Sequence, residues 1–232
     1  MTPICDTINL WKEFSVPFIR LEVSDRTSMH ARRLARIAIG KKGATQKITE
    51  FSPLIRLLKK RKLRTIVEIG TAQGGTLYAW CKIAQPDALI VSIDLPGGPF
   101  GGGYTLQEMK KYREYKRKHQ KLFFLREDSH NQSTKLKLLK ILDRVKIDLL
   151  FIDGDHRYTG VKKDFAMYSP LVKHNGLIVF HDILFHPKVP KCKVDRFWDE
   201  IKDQFRYREF IDREDDRGWG QWGGIGVIFK MG

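Results

Sequence analysis

From Thr65 onward the chain alternates short apolar runs with longer stretches whose apolar residues recur at helical spacing. The runs Thr65–Ile69 (TIVEI), Leu89–Asp94 (LIVSID), Ile147–Asp153 (IDLLFID) and Gly176–His181 (GLIVFH) are nearly all apolar until their last residues. Strands of that kind are buried on both faces, the condition of a parallel sheet covered by crossover helices. A further strand is predicted over Lys121–Arg126. Helical periodicity covers Gly74–Ile83, Leu106–Lys118, Thr134–Leu142, Tyr158–Met167 and Val194–Asp203. The closing pair, Phe205–Ile211 and Gly224–Lys230, reads as an antiparallel β-hairpin with a long connection. Before Thr65 the alternation is absent. Met29–Ile39 (MHARRLARIAI) has helical spacing with basic residues to one side, and Ser52–Lys60 is a helix with Pro53 in its first turn. The predicted organisation is a helical N-terminal extension over 1–48, a lid or an oligomer contact, then an α/β domain over 49–232. That domain is an open, mostly parallel seven-stranded sheet with helices on both faces and a C-terminal antiparallel hairpin.

Composition narrows the class. The 232 residues are 42% hydrophobic and 11% aromatic, which describes a globular chain with enough length for one substantial core. No apolar run is long enough to cross a bilayer, and the opening MTPICDTINLWKEF lacks the pattern of a secretory signal. Three cysteines, Cys5, Cys81 and Cys192, stand at unrelated spacings, so neither a disulfide framework nor a paired-cysteine zinc site is expected, and the setting expected is cytoplasmic. Lys and Arg number 43 against 27 Asp and Glu, a net charge of +16 that favours anionic partners, RNA among them. The basic clusters Arg56–Arg64, Lys110–Lys121 and Lys135–Lys146 are, however, interleaved with Leu, Ile and Tyr at the spacing of solvated amphipathic helix faces. Zinc-finger spacing and RNP-like aromatic signatures are absent. Nucleic acid therefore stands second to a small-molecule partner.

The polar residues collect where predicted strands end: Glu68 and Gly70, Asp94, Asp128, Asp153, and His181 with Asp182. An open α/β sheet binds ligands beyond those ends. The turn in Val67–Thr76 (VEIGTAQGGT) supplies Gly70, Thr71, Ala72, Gly74 and Gly75 directly before a helix. Glycines there let the backbone approach a ligand, and the helix start presents free N–H groups. About twenty residues further, Asp94 can accept hydrogen bonds from ribose hydroxyls. Glycines at 70, 74 and 75 depart from the G-x-G-x-x-G register of NAD sites, and no G-x-x-x-x-G-K-S/T loop exists for ATP; Gly40-Lys41-Lys42-Gly43 does not qualify. A glycine turn serving only the strand–helix connection is the bland alternative, which the acid at 94 weakens.

The acid-x-Gly opening Glu68-Ile69-Gly70 resembles the first motif of class I S-adenosylmethionine-dependent methyltransferases, with Ala72 in place of a glycine common there. Asp128 and Ser129, in Arg126–His130 (REDSH), match the residues that family places beside adenine. Phe151–Asp164 (FIDGDHRYTGVKKD), Asn175–Asp182 (NGLIVFHD) and the closing GGIGVIFK resemble the branch holding metal-dependent small-molecule O-methyltransferases and cephalosporin-hydroxylase-like proteins. The resemblance runs from about Gln46 to the end. It implies a Rossmann-like methyltransferase fold and S-adenosylmethionine as cofactor, with Glu68 near its methionine end. The cofactor contacts it implies are Glu68, Gly70, Thr71, Ala72, Gly74, Gly75, Asp94, Asp128, Ser129 and Asp153. It also implies a small-molecule acceptor, such as a saccharide or natural-product hydroxyl.

Asp153, Asp155 and His156 leave one predicted strand, and His181 and Asp182 leave the next. Neighbouring strands lie about 4.8 Å apart, so these side chains are expected to converge. Two carboxylates and an imidazole can hold a divalent cation. By resemblance Asp153 and Asp182 match metal ligands of the family, with His181 where an acid is often found and Ile183 where an amide ligand can stand. Manganese, iron or zinc then suit the set as well as magnesium does. His156 stands where related enzymes place a lysine base, which makes it the candidate general base together with Asp153. The structural alternative is a turn at 154–156 with Asp155 capping the next helix, and His181 and Asp182 bonding loop backbone. His130, His174 and His186 show no partners in the sequence and read as structural, Trp219 and Trp222 as hairpin packing, Tyr104 as a wall of the acceptor pocket, and 95–103 (LPGGPFGGG) as a gate or a turn. The expected function is small-molecule O-methylation, with RNA methylation and a non-catalytic cofactor-binding module as alternatives, in a chain that could form a homo-oligomer.

Overall fold

The computed structural model describes residues 25–214, 218 and 221–231. The expectations for residues 2–24, for Cys5 and for Trp219 lie outside the described residues. Five strands run parallel: β1 (Thr65–Ile69), β2 (Leu89–Ile93), β3 (Lys121–Leu125), β4 (Ile147–Ile152) and β5 (Val172–His181). Strand β7 (Ile225–Phe229) is antiparallel to β5, and β6 (Arg206–Phe210) pairs antiparallel with β7 at the edge. The resulting seven-stranded order is β3-β2-β1-β4-β5-β7-β6. It reverses direction between β1 and β4, the switch point at which α/β sheets open a crevice.

The central strands β1, β2, β4 and β5 are mostly apolar yet serve two different cores, because successive side chains point to opposite faces. On β4, Leu149 and Phe151 join one cluster and Leu150 and Ile152 the other, and a register irregularity between Ile147 and Leu149 puts Ile147 with the second. The first cluster is covered by α1 (Asp25–Lys42), α2 (Ile48–Lys59), α3 (Gly75–Ile83) and α4 (Leu106–Arg113). Helix α1 enters it through Ala31, Ala35 and Ala38, a stripe of small side chains that lets it lie close against α2 and α3. The second cluster is covered by α5 (Gln132–Leu142), α6 (Tyr158–Tyr168) and α7 (Val194–Ile201). Helix α7 buries Val194, Phe197, Trp198 and Ile201, the i, i+3, i+4, i+7 set of one helix face.

Differences from the predicted elements fall at ends. Helix α4 starts on a capping box between Thr105 and Glu108 but stops at Arg113 rather than Lys118. Past it, Tyr115 turns inward to stack on Tyr112, and the Gln120 amide ties the segment to the carbonyls of Cys81 and Gln85. Strand β5 begins at Val172 instead of Gly176.

Candidate functional site

The sheet register sets the site. Ile69 of β1 pairs with Ile93 of β2 and with Ile152 of β4, and Ile152 pairs in turn with Phe180 of β5. Gly70, Asp94 and Asp153 follow these strands directly and His181 is the last residue of β5, so the four stand in one row. They border a cavity of about 260 Å³ that also reaches Asp128, Ser129 and Gly75.

At the β1 end the chain turns through Gly70, whose φ is +84°. A Cβ at this position would sit 2.0 Å from the Asp153 carbonyl, so β1 and the tip of β4 approach in a way that only glycine permits. Asp94 Oδ2 accepts hydrogen bonds from the amides of Thr71 (2.8 Å) and Ala72 (2.6 Å), which holds this carboxylate at the cavity wall. Burial raises its pKa, and those amides oppose the rise. Gly75 brings the segment before α2 into the site: a Cβ there would lie 2.2 Å from the Ala44 amide nitrogen.

Two predicted cofactor residues stand behind the cavity instead of in its lining. Glu68 is fully enclosed, accepting from Thr71 Oγ1 and from Trp80 Nε1, both at 2.6 Å. Burial pushes its carboxyl up to about 7, against hydrogen bonds from Thr71, Thr76 and Trp80. Gly74, the residue before α3, packs on the Tyr112 ring. Both shape the turn from its inner side. Tyr104, read as an acceptor-pocket wall, is likewise in the core; its hydroxyl lies 3.0 Å from Ser92 Oγ and its ring packs on Tyr112 and Phe124.

Beyond β3, Asp128 Oδ1 accepts from the His130 amide at 2.8 Å. His130, which showed no partner in the sequence, lines the cavity with Nε2 at 3.4 Å from the enclosed Asp164 carboxylate of α6. That contact raises its pKa, against burial.

The predicted convergence at the tips of β4 and β5 is present. His181 Nδ1 lies 3.1 Å from Asp153 Oδ1 and 3.5 Å from Asp182 Oδ2. His156 Nδ1 is 2.9 Å from Asp182 Oδ2, and its Nε2 is 3.3 Å from Asp153 Oδ1. Asp182 adopts φ +60°, a left-handed conformation uncommon outside glycine, to direct its carboxylate inward. Burial disfavours every charge here, but the charges compensate one another. The two carboxylates hold His156 well above the ordinary imidazole range and lift His181 to about 9, while His181 and His156 keep Asp182 well below the usual carboxylate range. Asp153, His181 and Asp182 each offer one ligand atom, all within 4.8 Å of one another, so the donor set fits a divalent cation. Asp155 does not cap α6. Arg157 is the residue before that helix, and Asp155 accepts from its amide at 3.0 Å and from its guanidinium.

Further residues complete the enclosure: Gln46 and Lys191, which the sequence did not single out, Phe100 of the loop read as a gate or turn, and His186 and Trp222, which were read as structural and as hairpin packing. Gln46 Nε2 donates to Asp153 Oδ2 at 3.0 Å. The glycine-rich loop after β2 lays Phe100 over His156, the rings 4.8 Å apart and nearly parallel. Lys191 holds the loop from the far side, donating to the Pro99 carbonyl at 2.8 Å with its ammonium over the Phe100 ring. His186 and Trp222 line the same end of the cavity. Trp222 is 1% exposed, and Ile183 is buried in the second core cluster.

Residues 67–183 match the model of a family described as a methyltransferase domain. Among solved structures, the O-methyltransferase TomG of Streptomyces achromogenes, in complex with SAM, superposes at a TM-score of 0.53 and 17% identity over 92% of this chain and 93% of its own. An O-methyltransferase of Bacillus cereus in complex with SAH does so at 0.55 and 16% over 91% and 94%. The methyltransferase MycE of the mycinamycin pathway, in complex with Mg and SAH, gives 0.54 and 15% over 87% of this chain and 54% of its own. At these identities the likeness is one of fold. An uncharacterized protein of Acanthamoeba polyphaga mimivirus is 34% identical over 121 residues, 51% of this chain and 51% of that protein. One of Sinorhizobium fredii is 26% identical over 132 residues, 56% of this chain and 14% of that protein. The chain thus spans about half, or less, of the length of these curated relatives. With a matched segment covering half of its length and a Rossmann-like sheet carrying its polar residues on one row of strand tips, this chain belongs to the methyltransferase-domain family.

Proposed function

We propose that this protein transfers the methyl group of S-adenosylmethionine to a hydroxyl oxygen of a small molecule, assisted by a divalent cation. The observation that carries the reading is the continuity of one cavity from Asp94 and Asp128 to the cluster of Asp153, His156, His181 and Asp182. A nucleoside needs an acid for its sugar and polar groups for its base, and Asp94 and Asp128 with Ser129 supply them at adjacent strand tips. The turn Gly70–Gly75 lets the backbone lie along the rest of the cofactor, with Glu68 bracing it from behind. The O-methyltransferase TomG and the methyltransferase MycE, which share this fold, were solved with SAM and with SAH.

Asp153, His181 and Asp182 would hold the cation, whose charge lowers the pKa of an acceptor hydroxyl. A cation there would offset the Asp153 and Asp182 charges that raise the His156 pKa, and the imidazole would be the group placed to accept a proton. With Nδ1–H donating to Asp182 the ring is fixed, and Nε2, 3.3 Å from Asp153 Oδ1, is the nitrogen that would take the acceptor's proton. Phe100 covers that imidazole and excludes water. The acceptor oxygen forms its bond to the methyl carbon as the carbon–sulfur bond breaks, the electron pair stays on sulfur, and the released proton resides on His156. Little else is required, because sulfonium methyl transfer depends mainly on alignment.

The test is transfer of labelled methyl from S-adenosylmethionine to a panel of hydroxylated compounds, with magnesium or manganese and with a chelator. Wild type should label at least one acceptor only with the metal, and His156→Ala should lower kcat on that acceptor by about 100-fold or more. Full activity of His156→Ala on the same acceptor would remove this residue as the base.

A further inference from the structure

Cys192 lies in the segment between β5 and α7, 2% exposed. Its amide donates to the Val189 carbonyl at 2.9 Å, and the next amide, of Lys193, donates to the His156 carbonyl at 2.7 Å. The thiol thus sits at the margin of the second core cluster, within reach of the His156 imidazole. His156, Asp182 and Cys192 each offer one ligand atom, all within 4.8 Å of one another. This second group shares Asp182 with the oxygen-rich set of Asp153, His181 and Asp182 but differs from it in chemistry. Nitrogen, carboxylate oxygen and sulfur suit a borderline-soft ion in tetrahedral coordination, with a fourth position open to water or ligand.

We infer that the chain carries a second metal site, formed by His156, Asp182 and Cys192, for a thiophilic divalent ion of the zinc class.

The outer contacts have the form such a site requires. His156 faces Asp182 through Nδ1, and its Nε2 lies 3.3 Å from both Asp153 Oδ1 and the Asp153 carbonyl. A ligating imidazole that donates its other N–H to a carboxylate or carbonyl has its ring orientation fixed and its basicity raised. Cys81, the other cysteine among the described residues, shows the contrast. It sits within α3, where burial pushes its thiol up to about 12, and it belongs to neither ligand group. Coordination at Cys192 takes the thiolate, so each ion bound releases the thiol proton to solvent. Asp182 is common to both groups, so an ion in one draws on a carboxylate that the other also uses. If His156 is the base, as proposed above, a zinc-class ion also silences transfer; the binding itself does not rest on that reading.

Cobalt(II) reports the site directly, since a cysteine thiolate on cobalt gives a charge-transfer absorption that nitrogen and oxygen ligands do not. The full chain, freed of metal by a chelator, is titrated with cobalt chloride. The expected result is a charge-transfer band saturating at one ion per chain, abolished by one equivalent of zinc. In Cys192→Ala the band should vanish and zinc affinity should fall by more than the roughly 10–100-fold typical of losing an outer contact. Manganese binding, followed by electron paramagnetic resonance, should persist in that variant because Asp153, His181 and Asp182 are untouched. A Cys5→Ala/Cys81→Ala variant, which leaves Cys192 as the single thiol, should keep the band and settles the assignment even if Cys192→Ala does not fold. No thiolate band in wild type at saturating cobalt, or its loss in the double variant, would overturn the inference. These optical readouts need no methyl acceptor, so they fail or succeed independently of the proposed transfer.

Discussion

Glu68 shows how one side chain can serve a site that it does not touch. Its carboxylate is enclosed beneath the glycine turn and continues into a line of hydroxyls: Thr71 Oγ1 donates to it, Ser92 Oγ lies 2.7 Å from Thr71 Oγ1, and Tyr104 closes the line at 3.0 Å. Such a chain can run in either direction, so the folded state accommodates the protonated acid as well as the ionised one. Burial holds the folded pKa at about 7, against an ordinary value of 4.5. Between those values the folded chain binds a proton that the unfolded chain has lost, so stability declines as pH rises from 4.5 to 7. At 1.36 kcal/mol per pKa unit, the decline attributable to Glu68 is ~3 kcal/mol. Glu68→Gln should remove that share: urea unfolding should show the variant gaining on wild type by about this amount between pH 4.5 and 7.5. An unchanged difference across that range would place the proton elsewhere. The motif containing Glu68 was legible in the sequence, but its depth was not. Strand parity turns it toward Ile66 and the α3 side, so it meets Trp80 and Thr71 instead of the cavity.

At the scale of elements, the parallel strands were readable because burial on both faces forces an apolar run whatever the neighbours are. Their carboxyl ends were readable to a residue or two because the polar residues there are the ones that border the cavity. Contacts that join distant segments were not. Gln46 reaches Asp153 across 107 positions, Lys191 ties itself to Pro99 across 92, and Glu50 of α2 receives the amides of Asp212 and Gly224. No local pattern encodes such pairings; they follow only once the sheet order brings the segments together. The predicted helix over 106–118 failed at its end for the same reason, since Tyr115 answers to Tyr112 and Tyr78 rather than to helical spacing. The turn after β1 is the element with least tolerance. Gly70→Ala places a methyl group in collision with the Asp153 carbonyl at a φ that costs an L-residue roughly 1–2 kcal/mol by itself. The denaturation midpoint should fall by the equivalent of about 2 kcal/mol or more, and cofactor binding should be lost with it. Near-native stability in this variant would show that β1 and β4 can separate at their tips.

Across the whole molecule, charge is divided between surface and site. Exposed basic residues such as Arg32, Arg33 and Arg36 on α1, Lys110 and Lys111 on α4, and Lys137 and Lys140 on α5 carry the excess on outer helix faces. The cavity is lined by Asp94, Asp128, Asp153, Asp155 and Asp182. The same lining holds His130, His156, His181, His186 and Arg157, so the carboxylates of the cavity are matched by nearby cationic groups, whereas the basic exterior raises the local concentration of anionic partners. No helix among the described residues is long and apolar enough to cross a membrane. All of this rests on one claim, that the row of strand tips from Asp94 to Asp182 receives S-adenosylmethionine. Isothermal titration of the full chain with S-adenosylhomocysteine tests it most directly, run on wild type and on Asp94→Asn. The account predicts uptake of one molecule per chain, weakened about 10–100-fold in the variant through loss of a charged hydrogen-bond acceptor. A folded wild-type chain that takes up neither S-adenosylhomocysteine nor S-adenosylmethionine, or an Asp94→Asn variant that binds undiminished, would contradict it.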